Sequence, residues 1–348
     1  MTTKLILAAA LTAATFGPLS ADNNRPLGDS RLIAAVPSPG YPEGVAVREG
    51  RVYVSGPAAF GQAAPSKIFV YDVKTGAMVD VIAIQNQPGP IFALSCIAFD
   101  EEGSLYVIEE KMGVLKINPK TKHQTVYAAG FHPVFTSAFN PPAPLLLNDL
   151  AFDKEGNLYV TDTFQATIWR IPPGGGVPQP WFTNSAIDGV FGPNGIRFSA
   201  DGSKMYFSVT IDAMGGGAIY TLPVKANPLP ADLKTFHVYT PGANGIPAPD
   251  GIAFGKSGKL YVCLAGSSEI SVLDAGGVEL TRYRGPAKTN GGSLPWANPA
   301  NIAFDDEGRR LIVTNHASLV NPIDTGLFAI FDVYVNDNGG KLFGEIED

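Results

Sequence analysis

Six times along the chain a short apolar strand opens with the same two columns of residues. The segments are Glu43-Gly-Val-Ala-Val47, Ser95-Cys-Ile-Ala-Phe99, Asn148-Asp-Leu-Ala-Phe152, Asn194-Gly-Ile-Arg-Phe198, Asp250-Gly-Ile-Ala-Phe254 and Ala300-Asn-Ile-Ala-Phe304. The first-column positions lie 52, 53, 46, 56 and 50 residues apart, a period in the range of propeller and solenoid repeats. Each repeat then continues in the same way. A turn rich in Asp, Glu, Ser and Gly follows, as in Asp100-Glu-Glu-Gly103 and Asp305-Asp-Glu-Gly308, with the residues a hairpin needs. A second strand of the type Leu105-Tyr-Val107 comes next, and then a third that alternates apolar and polar residues, as in Lys67-Ile-Phe-Val-Tyr-Asp72. A less regular fourth strand is expected at Met78 to Ile84, Gln124 to Ala128, Phe236 to Tyr239 and Val278 to Tyr283.

Four antiparallel strands in each of six repeats predict an all-β fold, a six-bladed β-propeller. The last repeat is one strand short, while Arg31-Leu-Ile-Ala-Ala-Val36 precedes the first repeat with nothing to pair with. Docking this N-terminal strand on the edge of blade six is expected to close the ring and cover two open edges. Residues 22–348 are then expected to form one propeller domain. High Gly (39) and Pro (29) agree with many short strands and tight turns, and 45% apolar residues support a sizeable core.

A net charge of -7 with no block of Lys or Arg argues against a nucleic-acid footprint and leaves small molecules as the expected partners. The start of the chain, Met1-Thr-Thr-Lys4, an apolar run from Leu5 to Phe16 and the small-residue pattern Leu19-Ser-Ala21, reads as a secretory signal cleaved after Ala21. The other reading is an uncleaved anchor. No later stretch is apolar and long enough to span a membrane. A secreted or periplasmic location is expected, and the protein is expected to be a monomer. Cys96 and Cys263 fall nearly opposite each other in a ring of six and are read as small buried residues rather than a bridge.

In a propeller the first strand of every blade lines the central channel, so the first column becomes a ring: Glu43, Ser95, Asn148, Asn194, Asp250 and Ala300. Singly, such residues at a strand entrance usually make turn hydrogen bonds. Four in register form an all-oxygen set of two carboxylates and two amides, which suits a hard divalent cation, calcium before magnesium. Zinc would call for His or Cys, and the column has none in those four places. Asp149, in the second column, is expected either to orient a ligand or to act as a base if a bulge turns it inward. His316, in Val313-Thr-Asn-His316 past the second strand of blade six, is placed to accept a proton from water or to shape the substrate wall. The aromatic stretch from Phe131 to Phe139, with His132, is expected to roof a pocket or pack across the blade tops.

The pattern resembles the gluconolactonase, regucalcin and luciferin-regenerating-enzyme superfamily, with diisopropyl-fluorophosphatase and paraoxonase as relatives. The resemblance covers residues 31 to 335. It implies that Glu43, Asn148, Asn194 and Asp250 hold a catalytic calcium, that Asn148-Asp149 matches an Asn-Asp pair of the group, and that His316 matches a wall histidine. Some relatives hold a second, structural calcium through an Asp and a His where this chain has Ala253 and Ala303, so one metal is expected here. The function expected is a calcium-dependent hydrolase of a lactone or related ester, with catalytic roles for Asp149 and His316. A phosphotriesterase-like activity and a non-catalytic, metal-containing binding propeller are the alternatives.

Overall fold

The computed structural model of the chain describes residues 25–58, 64–285, 294–320 and 323–344. The expected export leader, residues 1–21, lies outside the described residues.

Six four-stranded antiparallel sheets follow one another around an axis. Blade one consists of Val45–Arg48, Arg51–Gly56, Lys67–Asp72 and Met78–Ala83, and blade two of Leu94–Phe99, Leu105–Glu109, Gly113–Ile117 and Gln124–Ala128. Blade three runs through Leu147–Phe152, Leu158–Asp162, Thr167–Ile171 and Gln179–Thr183, and blade four through Gly189–Phe198, Lys204–Asp212, Gly217–Pro223 and Lys234–Tyr239. Blade five comprises Pro249–Phe254, Leu260–Leu264, Glu269–Leu273 and Glu279–Arg284. Blade six has Pro299–Asp305, Arg310–Asn315 and Ala329–Tyr334, and takes the N-terminal strand Ser30–Ala35 as its outermost member. This is the all-β six-bladed propeller that the repeats predict, with the ring closed as expected. The outer strands differ most from the sequence reading. Blade three's Gln179–Thr183 lacks an alternating pattern, and blade five's fourth strand begins at Glu279 rather than Val278. Outer strands face solvent on one side, so little burial pattern marks their ends.

Two of the repeated columns exist because blades stack face to face. The tyrosine of each second strand meets the phenylalanine that ends the next blade's inner strand: Tyr53 and Phe99, Tyr106 and Phe152, Tyr159 and Phe198, Tyr206 and Phe254, Tyr261 and Phe304. Their ring centroids are 4.9 to 5.5 Å apart, edge to face. Such pairs add about 1 kcal/mol each beyond their buried area. At the closing interface the columns hold Ile312 and Val47, which share one apolar cluster.

Closure is reinforced by charge. Asp332, on the third strand of blade six, is fully buried and accepts from Arg25, which precedes the N-terminal strand, and from Arg310 at 2.7 Å. Arg310 also binds Asp305 at 2.7 Å and, at 3.2 Å, the Val73 carbonyl of blade one. Among the described residues no helix is long and apolar enough to cross a membrane.

Candidate metal centre

The inner strands break their pairing at one shared level. In blades two to six the register shifts between Leu94 and Ile97, Leu147 and Leu150, Pro193 and Ile196, Pro249 and Ile252, and Pro299 and Ile302. The two residues skipped each time are the two repeated columns. In blade one they are Glu43 and Gly44, just ahead of the strand, tied to Ser55 by Glu43 N to Ser55 O at 3.1 Å and Ser55 N to Gly44 O at 3.0 Å. A bulge re-aims side chains that strict alternation would send to opposite faces.

In blades one, three, four and six a hydroxyl from the second strand reaches the bulge of the neighbouring blade. Thr161 Oγ1 accepts from Asp149 N at 3.0 Å in its own blade and donates to Asn194 O in the next blade at 2.6 Å. Thr314 accepts from Asn301 N at 3.0 Å and donates to Glu43 O at 2.7 Å, while Ser55 accepts from Gly44 N at 2.8 Å and donates to Ser95 O at 2.6 Å. Ser208 donates to Asp250 O at 2.7 Å. The backbones of Glu43, Asn194 and Asp250 are thus fixed by the preceding blade. Second-column glycines allow this approach: a Cβ on Gly195 would stand 2.5 Å from Asp250 O.

The two asparagines are oriented by the same strands. Thr163 gives its proton to Pro193 O at 2.7 Å, which leaves its oxygen to accept from Asn148 Nδ2 at 3.2 Å. Asn194 Nδ2 reaches Thr210 Oγ1 at 3.0 Å. Both amide carbonyl oxygens, Asn148 Oδ1 and Asn194 Oδ1, are buried and accept no hydrogen bond. A buried acceptor left without a partner costs about 1–3 kcal/mol, so a cation is the natural complement of such a pair.

The carboxylates of the ring feel one another. Burial first, and then the charge of Asp149, push the Glu43 carboxyl up to about 8. Asp250 is raised well above the ordinary range by burial and by Glu43 and Asp149, with Asn194 hydrogen-bonding it in opposition. A divalent ion among them would reverse that logic and favour both ionised forms. Among the described residues no group of three or more His, Cys, Asp or Glu side chains is placed to hold a metal, so a cation here would depend on the two amide oxygens.

Asp149 is fully buried at the same level, turned toward blade four rather than into an open lumen. Its Oδ2 accepts from Ile196 N at 3.0 Å and Arg197 Nη1 at 2.8 Å, and its Oδ1 from Leu150 N at 2.8 Å. With both oxygens engaged by three donors, it is an ion-paired carboxylate that ties two blades together, poorly suited to taking a proton from water. His316 sits against the ring, with Nδ1 3.1 Å from Glu43 Oε2 and the Tyr41 ring edge-on at 5.9 Å. Burial pushes the imidazole down to about 3 and the Glu43 carboxyl up, so burial favours the uncharged form of each.

One further carboxylate belongs to this level. The backbone N of His316 bonds Asn298 O, that of Thr163 bonds Leu146 O and that of Glu110 reaches Ala93 O, each acceptor lying two residues before its blade's ring residue. Glu110 therefore occupies in blade two the rim position that Thr163 and His316 hold in theirs. It is half-buried, and burial, followed by the charge of Glu109, raises its carboxyl. A reading confined to the first two columns passes over it; the register of the second strands reveals it.

Other candidates lie elsewhere. The Phe131 to Phe139 stretch packs over blade three: Phe131 and His132 meet Trp169, Val134 N and Phe135 N bond Gln165, and Ser137 bonds Asp188. Cys96 and Cys263 are free and buried. A groove of about 360 Å³ at the rim of blades five and six, lined by Asn244, Glu269, Arg284 and Trp296 among others, contains no ring residue, and Glu269 there is held by Arg282 and Arg284.

Comparison with known proteins matches residues 49–317 to a family model described as the SMP-30/Gluconolactonase/LRE-like region. No curated protein matches the chain. Among solved structures, the calcium-binding protein regucalcin from Agrobacterium tumefaciens is 18% identical, with 92% of this chain and 97% of that chain covered and a TM-score of 0.64. A gluconolactonase from Xanthomonas campestris is 17% identical over 93% and 99% of the two chains, TM-score 0.60. Virginiamycin B lyase from Staphylococcus aureus is 14% identical over 88% and 99%, TM-score 0.54. At such identities these likenesses speak for the fold alone.

Proposed function

The chain belongs to the SMP-30/gluconolactonase/LRE-like family, and from that premise we propose that it is a calcium-dependent hydrolase of a lactone or related ester. The observation that carries the reading is the pair of buried, donor-less amide oxygens of Asn148 and Asn194 beside the mutually repelling carboxyls of Glu43 and Asp250. Gluconolactonase and regucalcin among the similar structures support the substrate class and the choice of calcium.

Glu43, Asn148, Asn194 and Asp250 would hold the ion, the carboxylates supplying charge and the amides neutral oxygens. Bound there, calcium would supply a Lewis acid for the ester carbonyl. The chain's own residues provide the rest. His316 fixes the Glu43 carboxyl at 3.1 Å and walls the site beside blade one. Asp149 holds Arg197 and the inner strand of blade four in place. Glu110, which holds in blade two the rim position of Thr163 and His316, would take the proton of attacking water. Export through the apolar leader and action as a monomer belong to the same proposal.

Hydrolysis of lactone, carboxylic-ester and phosphotriester panels should be followed before chelation, after it, and after calcium is returned. Chelation is expected to abolish lactone turnover, calcium to restore it, and Glu43→Gln and Asp250→Asn to stay inactive throughout. Lactone turnover indifferent to chelation, or a full rate in either variant, would overturn the assignment.

A further inference from the structure

Three positions beyond each ring residue the chain has Ala46, Ala98, Ala151, Arg197, Ala253 and Ala303: five alanines and one arginine. At a level where inner strands converge, small side chains are the expected choice. The exception has a specific partner. Arg197 Nη1 reaches Asp149 Oδ2 at 2.8 Å, and the same nitrogen donates to the Ile196 carbonyl. Asp149 is wholly buried and the Arg197 side chain nearly so, at 11% exposure. An unpaired carboxylate would be costly there, so the guanidinium and the carboxylate require each other.

The pair lies within electrostatic reach of the ring. Asp149 acts on Glu43 and on Asp250, and the buried Cys96 thiol feels Asp149, Glu43, Asp250 and, in the opposite sense, Arg197. Three carboxylates of charge -1 and one guanidinium of charge +1 leave a net charge of -2 when all are ionised. Without Arg197 it would be -3.

We propose that Arg197 is a charge-setting, positioning residue for the cation site: by pairing with Asp149 it holds the site at the charge of a divalent ion. The inference rests on the reading that Glu43, Asn148, Asn194 and Asp250 hold a cation. The Arg197 guanidinium donates to Asp149 and to the Ile196 carbonyl; it acts through Asp149, which adjoins Asn148 in the chain. A purely mechanical tie between blades three and four would instead make every disruption of the pair weaken binding.

The test is a charge series in the full chain, stripped with chelator and titrated with calcium by calorimetry and with terbium(III) by luminescence. Asp149→Asn should bind calcium about tenfold or more weakly, Arg197→Met about tenfold or more tightly, and the double variant within about threefold of the starting protein, as expected for unit charges acting across a protein interior. Arg197→Met should also shift preference toward terbium, because a trivalent ion gains more from the extra negative charge. Arg197→Lys, which keeps the charge, should stay near the starting affinity and provides a reading if Arg197→Met does not fold. Weakening in all four variants, or affinities that ignore charge, would overturn the role given to Arg197 while leaving the cation site standing. If the starting protein took up neither ion, the cation site itself would fall.

Discussion

The buried carboxyls of this chain differ in what faces them. Asp149 is compensated by Arg197 and two backbone donors. Asp162, at the end of blade three's second strand, has only neutral donors, among them Leu146 N at 3.0 Å and Trp169 Nε1 at 3.2 Å, and burial pushes its carboxyl from 3.8 up to about 6. The folded value lies above the unfolded one, so protonation favours the folded state. The contribution of Asp162 is fully present below about pH 4 and is lost as pH rises through about 6, a change of about 3 kcal/mol. Asp162→Asn, which mimics the protonated form, should gain stability relative to the starting protein between pH 4 and 6, measured by urea unfolding across that range. A constant difference between the two would show that Asp162 does not titrate there. At this scale the sequence marks the oxygen-bearing ring but not the state of Asp149, because its partner stands three positions past the ring residue of the following repeat, in a column otherwise filled by alanine.

The element that makes the site is the paired bulge with its hydroxyl. Thr161 serves two backbone groups at once, accepting from Asp149 N and donating to Asn194 O. Thr161→Val keeps shape and volume but strands a buried donor and a buried acceptor, a loss of about 1–3 kcal/mol for each group left unsatisfied. The urea midpoint should fall accordingly, and calcium affinity with it, because Asn194 loses its backbone anchor; unchanged stability would mean that water or a shifted strand replaces the hydroxyl. Ser55, Thr161, Ser208 and Thr314 stand one place after the repeated second-strand motif, where the other two blades have Ile108 and Cys263. That column was open to inspection in the sequence, but a hydroxyl in a strand carries no message until a second chain segment is known to lie beside it. The bulges are hidden for a related reason: an apolar pattern fixes which face is buried, not where pairing skips a residue.

The whole molecule was the most legible level, since blade number, strand order and closure all follow from one period and one unpaired strand. A pattern repeated six times averages out the weak propensity of any single segment, and the columns Tyr and Phe record contacts between blades rather than within them. Closure drew on edge pairing alone; the buried Arg25, Arg310 and Asp332 network that reinforces it joins positions some three hundred residues apart and leaves no local trace. Ring closure is also what brings Glu43 to Asn148, Asn194 and Asp250, so the account is tested where the ring's oxygens converge. The decisive measurement is calcium binding to chelator-stripped protein by calorimetry, alongside Asn194→Leu with its fold checked by circular dichroism. One equivalent of calcium bound by the starting protein, and none by the folded variant, is the result predicted; no binding by the starting protein, or undiminished binding by Asn194→Leu, would contradict it.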